Sequence, residues 1–398
     1  MPPRIAIIGC GAAGAFCASL LREAFPFWRI TLFEAGRKPL AKVAVTGGGR
    51  CNLTNSFEGI SSLAQAYPRG ERLMKRGLAA FGPEDTCRWF RDHGVKLVLQ
   101  EDHCWFPASQ DALEIVHTLL RTLSGAELRC NCRVKAVLPG NCVEQADGSR
   151  ETFDAVVVTT GGAKEFPMLE PLGLEMVPPV PSLFTLETSS EVRQFAGTVL
   201  PEAGVALAGT SFRADGPLLI TDWGFSGPAT LRLSSYAARY LADHAYHVTL
   251  LVNWTGQDQA GIRASLSRLA AENGPKLLSS VHPVPARLWQ FLLESAGFSP
   301  AARWRDIGPS ALNRLTDKLA NDAYPITRKG RFKEEFVTCG GVSLREINPS
   351  TMECRRHSGL YFAGEVLDID GITGGFNLQA AWTTAWLAAQ ALMRRFAS

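Results

Sequence analysis

RIAIIGCGAAGAFCASLLREAFPFWRITLFE, residues 4–34, decides the fold. Its first six residues alternate poorly and read as a strand buried on both faces, as in a parallel sheet. Gly9, Gly11 and Gly14 then spell GxGxxG, and the following residues carry helical spacing. A second apolar strand ends at Glu34, about 20 residues past the last glycine. In this order Gly9 permits a tight turn, Gly11 lets the backbone approach a pyrophosphate, and Gly14 lets helix and strand pack closely. The helix N-terminus turns its free N–H groups toward the phosphates. Glu34 can accept from both ribose hydroxyls and would repel a 2′-phosphate, which disfavours NADP at this position. A lone GxGxxG also occurs where a strand simply meets a helix; strand, glycines, helix, strand and acid together indicate a dinucleotide site.

The chain has 398 residues, enough for two or three domains with real cores. Charged residues make up 20% and apolar residues 46%, an ordinary globular balance. A formal net charge of +3 gives no broad basic field, so neither nucleic acid nor anionic lipid is an expected partner. No signal peptide is read at the start, and no apolar run approaches the roughly 20 residues that span a bilayer. The expected location is cytoplasmic. Ten cysteines include no CxxC pair, and the CNC at Cys130 and Cys132 fits no zinc spacing, so no metal is expected.

Two later segments bear on which dinucleotide. DAVVVTTGG, residues 154–162, reads as a buried strand whose tip, Thr160, Gly161 and Gly162, returns near the first glycine loop. GLYFAGEVLDIDGITGGFNLQ, residues 359–379, reads as a strand over 359–363, a turn at Gly364 and Glu365, and a loop with Asp370. A long apolar helix follows over 377–395. Flavin suits this arrangement: an acid and backbone amides fix the ribityl chain and pyrophosphate. A helix N-terminus at Gly374, Gly375, Phe376, Asn377 and Leu378 faces the pyrimidine edge, where negative charge collects on reduction. A glycine-rich helix entry that merely packs is the alternative. In TGGGRCNLTN, residues 46–55, Gly47, Gly48 and Gly49 allow close backbone approach to a cofactor. Arg50 has the fork suited to pyrophosphate or to a structural ion pair. Asn52, Thr54 and Asn55 can hold the loop through backbone bonds. Cys51 lacks a nearby second cysteine for disulfide exchange and reads as a packed thiol.

IIGCGAAG, VTGGGRCNLTN, GGVSLREI and GLYFAGEVLDIDGITGGFNLQ, in this order from end to end, resemble the YhiN/BaiN-type bacterial flavoproteins of the glutathione-reductase-like FAD superfamily. The resemblance implies an α/β fold: a Rossmann-like FAD-binding domain with inserted β-rich, barrel-like and small helical domains. It adds Ala12, Ala13, Ala35, Lys42, Cys51 and Val134 to the cofactor-lining positions. One member type reduces conjugated double bonds in oxo-bile acids. The sequence departs from the family at Cys10, Leu40, Thr46, Thr384 and Ala385, and Trp382 and Trp386 could alter what packs over the flavin.

The expected organisation is an FAD-binding domain over 1–184 and 337–398, a β-rich insert over 185–255, a helical insert over 256–321, and return strands over 322–336. The insert reads as a small barrel or sandwich. RKGRF, residues 328–332, reads as a solvated hairpin tip. The expected function is an FAD-dependent oxidoreductase passing hydride to a small enone-like acceptor, with NAD(P)H as a transient reductant because no second GxGxxG exists. Ser226, Tyr324 and Arg328 are the candidate proton donors. A non-catalytic flavin sensor or scaffold and a tRNA-modifying flavoenzyme are the competing readings, the latter disfavoured by weak basicity. The sequence fixes no oligomeric state.

Overall fold

The computed structural model describes residues 1–330 and 337–397. Within them the chain divides into two compact units, Met1–Pro181 with the segment from Val337 onward, and Ser182–Phe336.

The first unit is built on a parallel sheet in the order Leu360–Phe362, Ala155–Val158, Arg4–Ile8, Arg29–Phe33, Glu127–Arg129. Ile5–Ile8, Val156–Val158 and Leu360–Phe362 are almost wholly buried, as strands covered on both faces must be. The helix Ala12–Ala24 follows the first strand directly, and the long helix Phe376–Phe396 packs along it. All five strands end on one edge, so the loops after Ile8, Phe33, Val158 and Phe362 converge there. That convergence is what the parallel arrangement does for function: ligands of such sheets bind outside the strands' carboxyl ends.

The second unit holds a closed antiparallel barrel of six strands, ordered Leu186–Thr188, Gly224–Ser226, Arg213–Ile220, Val199–Leu207, Val248–Asn253 and Asp322–Lys329. Closure removes the sheet edges that a sandwich would leave open. The helices Gln259–Asn273, Ala286–Ser295 and Pro309–Ala320 share one core with the barrel, in which Trp254, Trp289 and Trp304 are buried. The helical stretch therefore forms no compact unit of its own. Of the RKGRF stretch, Arg328 and Lys329 lie in the last barrel strand, and residues 331–336 lie outside the described residues. The strand Val337–Val342 belongs to the first unit, beside Met176–Ser182. No described helix is long and apolar enough to cross a membrane.

Candidate cofactor site

The glycine loop is shaped by clearance. Gly9 has φ +99°, and a Cβ there would lie 2.6 Å from the Thr159 carbonyl oxygen. A Cβ on Gly14 would overlap the Gly9 carbonyl, so helix and strand reach their spacing only with glycine at both positions. The Thr159 hydroxyl donates to the carbonyls of Ile8 (3.0 Å) and Gly9 (2.8 Å), tying two strand ends together. Ala12 and Ala13 form the first helical turn, where nothing occupies the space beside Gly11.

Glu34 closes the second strand. Its carboxylate accepts from the N–H of Cys10 (3.0 Å) and of Gly36 (2.7 Å), which fixes its rotamer and leaves its remaining lone pairs for ribose hydroxyls. Ala35 follows it, and the Cys132 N–H donates to the Glu34 carbonyl, which leads the chain on to Val134 beside this corner. Burial first, and then the nearby Glu34 charge, push the Cys10 thiol up to about 12, so it stays neutral.

A second group lies between the tip of the middle strand and the C-terminal segment. Lys42 pairs with Glu365 at 3.6 Å, and the Thr338 N–H donates to Glu365 at 2.8 Å. Gly161 and Gly162 lie against the same carboxylate, and Thr160 precedes them on this tip. The Gly364 N–H donates to the Thr384 hydroxyl at 2.9 Å, a concrete use for one of the positions that depart from the family.

The third group joins the 46–55 loop to the long helix, although about 320 residues separate them in sequence. Gly47, Gly48 and Gly49 all have positive φ. The Asn55 amide donates to the Gly374 carbonyl (3.0 Å), and the Trp382 indole donates to the Leu53 carbonyl (3.0 Å). The Tyr67 hydroxyl donates to the Phe376 carbonyl (2.9 Å). Asn377 folds back to accept from and donate to Gly371, closing the loop before the helix. Leu378 continues its first turn. Gly375, at φ +88°, admits no side chain: a Cβ would lie 2.6 Å from Asn52 Oδ1. That oxygen is buried and accepts no hydrogen bond among the described residues.

Beneath this junction Gln379 organises a buried polar cluster. Its Oε1 accepts from the hydroxyls of Thr54 (2.5 Å) and Thr86 (3.0 Å), and its Nε2 donates to Thr383 (2.9 Å). Thr383 in turn donates to the Phe81 carbonyl (2.9 Å). All four side chains are fully buried. Sequence reasoning missed Gln379 and Tyr67, whose partners lie hundreds of residues away and at no motif spacing.

Several expected residues have other work. Asp370 is fully buried and engaged by Arg69, which holds the loop before the long helix; the acid at the end of this segment's strand is Glu365. Arg50 lies over the Phe106 ring (4.5 Å) and donates to Gln110 (3.4 Å), holding its own loop. Cys51 is fully buried and burial pushes its thiol up to about 12, which makes it a poor nucleophile near neutral pH. Trp382 meets Phe16 and Phe90 edge-on and Trp386 stacks on Phe81, so both tryptophans fill the helical core. In the barrel, Tyr324 is 3% exposed and its hydroxyl donates to Asp322 at 2.5 Å, with Trp254 and Lys318 on the same carboxylate. Desolvation, then the Asp322 charge, raise its pKa well above the ordinary tyrosine value, so it is a core group and not a ready acid. Arg328 pairs with Glu187 at 3.4 Å. Ser226 is half-buried at the end of its short strand. No group of three or more metal-ligating side chains is gathered among the described residues.

The edge fits FAD by its own chemistry: a clearance only glycine allows, a carboxylate held at the end of the second strand, a helix N-terminus without a side-chain cap, and a buried acceptor at Asn52 with no partner among the described residues. Fold and edge together define an FAD-binding Rossmann flavoprotein. More particularly, the chain belongs to the HI0933-like family, whose Rossmann domain matches residues 3–391.

Relatives of similar length include the ribosomal RNA dihydrouridine synthases of Escherichia coli K12 (30% identical, covering 97% of both chains) and Haemophilus influenzae (28%, 98% of both). Another is the 3-dehydro-bile acid delta(4,6)-reductase of Clostridium scindens, 27% identical over 98% of this chain and 99% of the relative. Among solved structures, an E. coli quinol fumarate reductase matches at TM-score 0.50 with 15% identity, covering 100% of this chain and 71% of that one. A 3-ketosteroid delta1-dehydrogenase from Sterolibacterium denitrificans matches at 0.50 with 11% identity, covering 99% and 100%. At such identities these two speak for the fold alone.

Proposed function

We propose that this chain is an FAD-dependent reductase of carbon–carbon double bonds conjugated to a carbonyl, and that its acceptor is the uracil ring in RNA. The observation that carries the reading is the full-length similarity to two ribosomal RNA dihydrouridine synthases. In uracil the C5–C6 double bond is conjugated to the C4 carbonyl, so the base is itself an enone. The bile-acid relative, by its name, reduces ring double bonds in a 3-dehydro acid, which is the same electronic problem in another scaffold. One chemistry thus accommodates both kinds of relative.

Bound FAD supplies the hydride equivalent for the β-carbon, with NAD(P)H as the source that restores it. The protein's part is orientation and charge. Glu34 and the glycine loop hold the adenosine end, and the uncapped N-terminus of the helix Phe376–Phe396 stabilises anionic charge at the loop it meets. Gln379 keeps that helix end in register with Thr54, and Tyr67 holds the carbonyl of its first residue, Phe376. The acceptor's α-carbon needs a proton. Of the three hydroxyl or guanidinium candidates, Ser226 is the one held by neither a buried carboxylate nor an ion pair among the described residues.

The low net charge, taken from the sequence as a sign against nucleic acid, is a sum over the whole surface. An RNA-modifying enzyme needs local basic contacts, and these are compatible with a small total. The test is anaerobic: the flavin-loaded protein with NADH or NADPH is given an unmodified ribosomal RNA transcript and, separately, a panel of cyclic enones. The mass gain of two hydrogens on uridine is the expected result. Enone reduction with no change in any RNA would replace the RNA reading with a small-molecule one. A flavin that neither nicotinamide bleaches would remove the reductant from the proposal.

A further inference from the structure

The first unit has a second concave surface, beside the outer strands Arg29–Phe33 and Glu127–Arg129 of its sheet. Arg4 opens the first strand and Arg29 the second, and with Arg22, Arg129 and Phe27 they line a cleft of about 440 Å³. Four strand steps lead from Arg29 to Phe33, about 13 Å at roughly 3.3 Å per residue, so Arg29 lies at the end of the cleft away from the cofactor edge. Arg129 closes the other end of the cleft: it pairs with Phe33, and its carbonyl accepts from the Glu34 N–H (2.9 Å), so the cleft runs toward the cofactor edge.

Its charge is less balanced than its composition. The two carboxylates in it are already engaged: Glu151 takes Arg4 (3.3 Å) and Arg129, and Glu127 takes Arg129 (2.8 Å) and the Thr31 hydroxyl (3.1 Å). Arg29 is exposed, and its guanidinium makes no ion pair or hydrogen bond among the described residues. The cleft consequently presents net positive charge.

At its rim Phe27 is 87% exposed, a large aromatic ring that the fold makes no attempt to cover. The backbone on either side of it is held. The Arg22 guanidinium donates to the carbonyls of Pro26 and Trp28 on either side of it, and to that of Ser124 (3.2 Å). Gly125, at φ +83°, leaves the room that this guanidinium fills. Beneath the turn the rings of Phe25 and Trp28 stack at 4.4 Å and 9°. An exposed aromatic on a held turn, beside arginines without a carboxylate partner, is an arrangement that holds unpaired nucleic-acid bases: the ring stacks on the base and the guanidinium meets the phosphate.

We propose that this cleft is a docking surface for the RNA substrate, with Phe27 as a stacking platform for an unpaired base and Arg29 as a phosphate contact. The inference rests on the RNA reading above. It deepens that reading by requiring a folded RNA, because only a ligand longer than a nucleotide reaches from Phe27 and Arg29 to the cofactor edge.

The test compares the flavin-loaded wild type with Phe27→Ala, Phe27→Trp, Arg29→Glu and the Phe27→Ala/Arg29→Glu double variant. Each is assayed on a ribosomal RNA transcript across salt concentrations and on a small cyclic enone. Loss of one stacked base lowers RNA affinity on the order of 10- to 100-fold. Phe27→Ala should raise KM for the transcript by that factor with little change in kcat, and Phe27→Trp should restore it. Arg29→Glu should also flatten the salt dependence by about one phosphate contact. Enone reduction and flavin content should stay at wild-type levels. If the variants reduce the transcript with wild-type KM and salt slope, the cleft is not the docking surface while the RNA reading stands. If the wild type reduces the enone but no RNA, the RNA reading itself fails and the cleft with it. A change of oligomeric state in the variants would assign the cleft to contacts between copies of the chain and overturn the proposal.

Discussion

Replacing Gln379 by leucine removes the acceptor that two buried hydroxyls share. Thr54 and Thr86 both donate to its Oε1, and both are fully buried, so neither finds water in exchange; Thr54 keeps only a long contact to the Asn55 carbonyl (3.5 Å). A buried donor left without a partner costs about 1–3 kcal/mol, so two cost about 2–6 kcal/mol. Thr383 keeps its bond to the Phe81 carbonyl and adds little. A unit of this size loses about 2–4 °C of melting temperature per kcal/mol, which sets the expected fall at roughly 4–24 °C. Differential scanning calorimetry of the flavin-loaded protein, with flavin content from absorbance, measures both stability and the register of the loop against the helix. Gln379→Glu supplies an internal control. Burial raises the pKa of the new carboxyl above its unfolded value, and its neutral form reproduces the amide's pattern of two accepted bonds and one donated bond. The variant should therefore be close to wild type below the unfolded carboxyl value of about 4.3. It should lose stability as pH rises through its folded value, the direction expected when the folded state binds the extra proton. A leucine variant that melts within about 1 °C of wild type and retains its flavin would refute the idea that this cluster organises the site.

Glu34→Ala should release the Cys10 and Gly36 amides together with the ribose contact, weakening FAD retention in equilibrium dialysis; unchanged flavin content would remove Glu34 from the cofactor site. Tyr324→Phe should leave kcat unchanged, because Asp322 retains Trp254 and Lys318, whereas a large fall in kcat without unfolding would return the tyrosine to the proton-transfer step. Cys51, with its thiol pushed up to about 12, should resist iodoacetamide at pH 8 in the folded protein under conditions that alkylate the partly exposed Cys130, Cys132 and Cys142. Rapid native-state modification of Cys51, read by peptide mass spectrometry, would contradict its packing.

The parts legible in the sequence are those where signal and structure are both local. Residues 4–34 hold strand, glycine turn, helix, strand and acid within one stretch, and the apolar runs at Ala155–Val158 and Leu360–Phe362 need only burial on both faces to be recognised. Barrel closure was less legible, because Leu186 pairs with both Phe225 and Lys329 and no local pattern announces a strand with two distant neighbours. Arg69 with Asp370, and Gln379 with Thr54, join ordinary polar residues across some 300 positions, and no spacing rule reaches that far. Tyr324 could have been placed better: Asp322, Tyr324 and Ile326 share one phase of a strand whose other phase is exposed, which is the period of an inward-facing set.

The order of the parallel sheet also governs how the chain is made. Leu360–Phe362 pairs with Ala155–Val158, about 200 residues earlier. At roughly 5–20 residues per second a ribosome needs about 10–40 s to pass from one to the other. During that interval the flank of Ala155–Val158 has no neighbour on one side, and the first helix lacks the long helix that covers it. The barrel unit, continuous in sequence, can complete its own pairing meanwhile. The nucleotide-holding unit is thus the last to mature, and a nascent chain stalled before residue 360 would expose an apolar strand to the cell's quality-control machinery.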